Sequence, residues 1–236
     1  MTIARDGTGA TRTQINGANP GTMVITFTTA NDRFLVIAWA VANVSAAACA
    51  IPTITDSGSG SWTTVSVEIV DAGTPVGYRT GISYSENRAS ITDVTLSFGS
   101  GAHYGWFKLD QFTGVKTSSS QDGAAVTASA ARPQSSIASG NLSTTDPNCL
   151  IVGVGQLDDG GSGVWNTTLG SWTALMTEPD LGNTGAQAAY LIASGSTGPF
   201  SITWVMTNGF YEASSVLAAF APAGGGAQGN LAWIRG

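Results

Sequence analysis

One pattern occurs twice in this chain, and it limits the fold more than any other feature. From Phe27 the sequence reads F-T-T-A-N-D-R-F-L-V-I-A-W-A, and from Leu142 it reads L-S-T-T-D-P-N-C-L-I-V-G-V-G. Each copy sets a polar turn in front of an apolar run. The same order of events follows each copy. Ser61-Trp62-Thr63 answers to Ser171-Trp172-Thr173, and Ile82-Ser83-Tyr84 to Ala189-Tyr190-Leu191. Val94–Phe98 answers to Ser201–Val205, and Trp106–Phe112 to Val216–Phe220. A fold with this sequence has two similar halves.

The runs are strand-like. Val65, Val67 and Ile69 alternate with polar residues, as do Val94, Leu96 and Phe98, which is the two-residue period of a half-covered strand. Turn clusters such as Asp56-Ser57-Gly58-Ser59-Gly60 separate them. Charged residues are only 10% of the 236 and glycine numbers 31. That composition favours strands and turns over helices. About a dozen short strands without helical periodicity predict an all-β, single large antiparallel β-sandwich. The expected organisation is an N-terminal arm (1–22) with little structure of its own, then a sandwich over 23–222. The halves would be 23–115 and 142–222, joined by a Ser/Ala/Gly-rich crossover (116–141) carrying one short strand near Ala125–Ala128. A Gly-rich tail (223–236) ends in the apolar tip Leu231, Trp233, Ile234. The two halves are expected to interlock around one core.

Several function classes find no support in the sequence. The nine basic residues are scattered and the net charge is −6, so the basic stripe that nucleic acid requires is missing. No run reaches the length of a membrane-spanning helix. The start, Met1 to Gly7, lacks the charged and apolar regions of a signal peptide, so either the protein is used without export or a signal has been removed, and Met1 favours the first reading. The one histidine, His103, sits in S-G-A-H-Y-G-W, and no G-x-S-x-G elbow accompanies it. Paired carboxylates for glycoside hydrolysis would have to come from turn residues such as Asp56, Glu86 and Asp180, or from Glu68 and Asp110, which strand alternation allows to face solvent. No catalytic residue and no cofactor is expected. Calcium is the one ion with oxygen ligands at hand, at Asp56–Gly60 or Asp158-Asp159-Gly160, without the EF-hand spacing. Cys49 and Cys149 lie outside any C-x-x-C pair. Buried free thiols are the simpler reading, and their pairing stays open.

Two places point to contacts. Trp165, in G-S-G-V-W-N-T, has no counterpart in the first half and reads as a loop residue able to touch a ligand, with Asp158 and Asp159 nearby. Trp62 and Trp172, at matched positions, read as anchors within the sandwich. The tip Leu231, Trp233, Ile234 would dock on a partner subunit or fold back.

The order of motifs resembles a family of β-sandwich proteins found in phage particles and on bacterial surfaces. The residues that carry the resemblance are Thr29–Val36, the Asp-Gly-Trp element from Asp56 to Trp62, the strand Thr92–Phe98, Phe112-Thr113-Gly114, the recurrence at Thr144–Val152 and the closing Leu217–Phe220. The resemblance implies a jelly-roll or concanavalin-like, lectin-like sandwich without an inherited active site. It also implies a virion component assembled in the host cytoplasm, a capsid decoration or head-fibre protein. Its partners would be other virion proteins, chiefly the major capsid protein, and further copies of itself, a trimer being favoured. The alternative is a carbohydrate-binding module of a tail fibre or adhesin, with a host surface glycan as ligand.

Overall fold

Every residue from Phe34 to Ala42 is buried, and side chains on both faces of this strand are covered. That is why the segment reads as an uninterrupted apolar run: a strand covered on one face only would alternate. Even-numbered Phe34, Val36, Ala38 and Ala40 enter one core, and odd-numbered Leu35, Ile37, Trp39 and Val41 enter another.

The computed structural model describes residues 2–16, 22–31, 33–43, 49–70, 77–97, 102–158, 164–178, 184–207 and 211–224. The first eight strands are β1 (Ala4–Asn16), β2 (Thr22–Thr26), β3 (Arg33–Asn43), β4 (Thr53–Asp56), β5 (Thr63–Val70), β6 (Gly77–Arg88), β7 (Asp93–Ser97) and β8 (Ala102–Thr113). The second eight are β9 (Val126–Gln134), β10 (Ser136–Ala138), β11 (Leu150–Asp158), β12 (Val164–Trp165), β13 (Thr173–Glu178), β14 (Thr184–Ile192), β15 (Thr203–Thr207) and β16 (Tyr211–Phe220). Among the described residues no helix is long and apolar enough to cross a membrane.

The first eight strands make a five-stranded sheet, β1-β8-β3-β6-β5, and a three-stranded sheet, β2-β7-β4. The second eight make β9-β16-β11-β14-β13 and β10-β15-β12. Adding eight to each strand number of the first half reproduces the second, so the order is the same. All pairings between these strands are antiparallel. The two five-stranded sheets face each other across a shared core, where Val36 and Ala38 meet residues such as Val152, Val154, Val216 and Phe220. Each three-stranded sheet covers the outer face of its own five-stranded sheet over a separate core. The layers therefore run three, five, five, three.

The expected all-β antiparallel sandwich is present, with three local corrections. Residues 4–16, expected as part of an arm, form β1 and pair with β8 from Ala4 opposite Thr113 to Asn16 opposite Tyr104, with a register shift between Asp6 and Thr11. An edge strand is held by backbone hydrogen bonds on one side, so it needs no apolar pattern. The 116–141 crossover holds two strands, not one: β9 pairs with β16 and β10 with β15, which starts the second half near residue 126. The halves do not interlock strand by strand: each sheet takes all its strands from one half. Only the middle core is shared.

Candidate functional site

The seam between the two five-stranded sheets carries polar groups inside its apolar core. Thr80 Oγ1 donates to Gln156 Oε1 at 2.9 Å and shares a hydrogen bond with Ser214 Oγ, while Gln156 Nε2 donates to the Val41 carbonyl at 3.3 Å. Nearer the other end, Arg5 meets Asp110 through two N–H···O bonds of 2.8 and 3.0 Å. Lys108 Nζ lies 3.8 Å from the same carboxylate. Asp110 is fully buried, against the expectation that alternation turned it to solvent. Its face of β8 is the shared-core face, because both faces of this strand are covered. Burial pushes the Asp110 carboxyl up, against the pull of Arg5 and Lys108. The Arg5 guanidinium also stands 5.8 Å from the centre of the Tyr190 ring of the other half. These groups join the halves and fix how they align.

A cleft of about 340 Å³ opens where the connector between the halves passes the ends of two strands. Ser61 and Thr63 reach it from the start of β5, and Tyr84, Ser85, Glu86 and Arg88 from the end of β6. Thr117 and Ser119 complete it from the connector. The connector is pinned by backbone bridges between Val115 and Pro222 and between Gln121 and Phe220. Side chains hold it too: Glu86 Oε1 accepts the Ser120 N–H at 2.6 Å, and Tyr84 Oη donates to Gln121 Oε1 at 3.1 Å. Burial pushes the Tyr84 phenol up, so it stays protonated and able to donate at neutral pH. Its ring packs in the shared core, 4.8 Å from Phe220 and 5.8 Å from Phe34 between ring centres.

Asp56 holds Arg88, one of the residues that line the cleft. Its side chain is fully buried and collects four donors: Gly58 N at 2.8 Å, Gly60 N at 3.3 Å, Trp62 Nε1 at 2.8 Å and Arg88 Nη2. A carboxylate filled by N–H donors, with a guanidinium on one oxygen, offers a calcium ion no free ligand set. The loop from Asp56 to Trp62 is thus a clamp, and the Asp-Gly-Trp spacing is explained by it. Gly60 passes so close to Arg88 that a Cβ there would lie 1.8 Å from Nη1.

On the connector Asp122 takes a comparable part, holding the turn before β11. It accepts from Thr145 N at 3.0 Å, Asp146 N at 2.8 Å, Cys149 Sγ at 3.0 Å and the Thr145 hydroxyl. Burial raises its carboxyl, but the bonds from Cys149, Thr145 and the two backbone N–H groups outweigh that and bring it down to about 2. Cys149 and Cys49 are both free and buried, in the two different outer cores. They are therefore not paired. Burial pushes both thiols up, Cys49 to about 12, so both are unreactive at neutral pH.

Of the other expected site residues, the structure places only some. Trp165 does not lie in a loop: it is in β12, opposite Met206, half-buried against the second outer core. Trp62 and Trp172 do sit at matching places, each one residue before its strand, β5 or β13, and each packs against its own outer core. His103 falls in β8, not in the turn before it, and its side chain lies outside the described residues. So do the side chain of Asp158, all of Asp159 and Gly160, and the tip Leu231, Trp233, Ile234. Among the described residues no group of three or more His, Cys, Asp or Glu side chains gathers to hold a metal ion. Sequence reading missed the cleft. Its residues are single serines, threonines and charges spread from 61 to 119, with no spacing that marks them.

No known protein family, curated protein or solved structure matches the chain.

Proposed function

We propose that this protein is a non-enzymatic structural component of a bacteriophage particle surface, a capsid decoration or head-fibre protein, acting as a rigid unit that terminal segments attach to the shell. The observation that supports it best is the back-to-back pair of eight-stranded units sealed by one shared apolar core. In each half eight antiparallel strands make two facing sheets, 1-8-3-6-5 over 2-7-4, and that arrangement supports the jelly-roll reading the resemblance implies. Partners would be the major capsid protein and further copies of the chain, with a trimer as the expected oligomer because shells present threefold sites.

The test is cosedimentation with shells assembled from capsid proteins of the same genome. The full chain is expected to bind at a fixed stoichiometry. A variant lacking residues 225–236 is expected to lose binding while keeping its melting temperature. Equal binding by the truncated chain would remove the tail from the attachment. No binding by the full chain would remove the particle role.

A second reading, a carbohydrate-binding module, is favoured by one observation, the hydroxyl-lined cleft.

A further inference from the structure

We infer that the cleft between the end of β6 and the connector is a binding site for a neutral saccharide. The inference gives the carbohydrate-binding reading a location and rests on that reading alone. It does not depend on a place in a particle.

The lining selects the ligand class. It is made almost wholly of hydroxyls together with one carboxylate and one guanidinium. Hydroxyls both donate and accept, which suits a ligand that is itself a set of hydroxyls. The charges argue against the other small polar ligands. Arg88 is already neutralised by the buried Asp56, and Glu86 would repel a phosphate or carboxylate. An apolar ligand would find no aromatic face, because the Tyr84 ring is buried in the shared core. The volume, about 340 Å³, lies at the small end of ligand sites and fits one or two sugar rings.

A second observation is independent of the lining. Four non-glycine residues among those described adopt left-handed backbone: Ser59 (φ 54), Asn87 (φ 50), Ser90 (φ 57) and Ser119 (φ 48). All four fall in the three segments around this cleft: the loop before β5, the turn at the end of β6 and the connector. Strain of this kind collects where a chain is shaped for a ligand rather than for its own stability. A third observation is polar capacity left over. Arg88 Nε, of a residue that lines the cleft, and Ser120 Oγ, next to the lining residue Ser119, are buried without a hydrogen-bond partner among the described residues. Such groups are costly unless something completes them.

The test is a set of amide NMR titrations of the full chain with glucose, galactose, mannose and N-acetylglucosamine, and with inorganic phosphate and acetate as controls. At least one sugar is expected to give saturable shifts confined to residues 61–63, 84–88 and 117–121, and neither anion should. Glu86→Gln keeps an acceptor for the Ser120 N–H and should weaken binding about fivefold, because it removes a charge-assisted hydrogen bond. Thr117→Val should weaken it about twofold. Ser119→Gly relieves the left-handed strain, so a weaker sugar affinity at an unchanged or higher melting temperature separates binding from folding. No response to any sugar would overturn both the inference and the reading beneath it. Sugar shifts centred on Trp165 would overturn the location and spare that reading. Shifts caused by phosphate would overturn the ligand class.

Discussion

In the first half the buried indole of the outer core stands on the five-stranded sheet. Trp39 of β3 lies over Gly81 of β6 and donates its Nε1 hydrogen to Ser83 Oγ at 2.9 Å. In the second half it stands on the opposite layer. Trp204 of β15, in the three-stranded sheet, lies against Gly155 and Gly153 of β11 and donates to Ser215 Oγ at 2.8 Å. Both indoles are fully buried. The two halves share strand order, yet the large side chain, the glycine that makes room for it and the hydroxyl that satisfies its N–H are placed differently. The comparison shows what the duplicated fold requires: a filled gap between layers and a paired N–H, not a tryptophan at one topological position.

The largest expected effect tests that equivalence. Trp39→Ala and Trp204→Ala should each cost about 3–5 kcal/mol in urea unfolding. If one were tolerated, the two cores would not be equivalent. Gly81→Ala and Gly155→Ala should also destabilise, because the added Cβ would lie 2.2 Å from Trp39 Cζ2 and 2.3 Å from Trp204 Cγ. Coupling with Trp39→Phe and Trp204→Phe should be non-additive in both halves.

A comparable loss is expected at the seam, where the halves differ in kind. Asp110→Ala removes the carboxylate beside Lys108 and Arg5, and about 3 kcal/mol should be lost because a buried cation is left behind. Deleting the buried hydroxyl partners should cost less. Ser83→Ala and Ser215→Ala each orphan an indole N–H, at about 1–2 kcal/mol, and equal losses would confirm that the two sites are solved alike.

An effect of similar size is the dependence on pH at Asp122. Its folded carboxyl, near 2, lies below the ordinary unfolded value of about 3.9. A depressed carboxyl stabilises the fold above its unfolded pKa, and that contribution fades as pH falls through the folded one. Wild type should lose stability between about pH 4 and 2 more steeply than Asp122→Asn, with a difference at neutral pH on the order of 1–2 kcal/mol. Parallel acid-unfolding curves would show that Asp122 contributes nothing.

The repeat was legible in the sequence, but its register was not. Matching Phe27 onto Leu142 sets Leu35 against Leu150, yet Leu35 faces the first outer core and Leu150 the shared core. The same slip sets Leu96, buried, against Thr203, exposed. A shift of one residue turns every side chain to the other face. In β3 and β11 both faces are apolar, so the residues themselves do not say which is which. The match of Trp106 with Val216 kept the faces correct, since both enter the shared core. β1 was missed for a different reason: its Gly- and Thr-rich residues are ordered by backbone pairing to β8 rather than by an apolar pattern.

The sequence by itself determined that this chain is all-β, that it is doubled, that its strands come in one repeated order and that Asp56, Trp62 and Trp172 stand at turns serving the sandwich. These follow from local periodicity and turn chemistry, which a chain carries residue by residue. Only the tertiary structure decided that four sheets stack with one core shared, that Asp110 is buried with Arg5, that the cysteines lie apart, and that residues near 61, 86 and 117 form one cleft. Each of these depends on contacts between residues far apart in the chain, set by how twisted layers meet, and no short-range pattern records them.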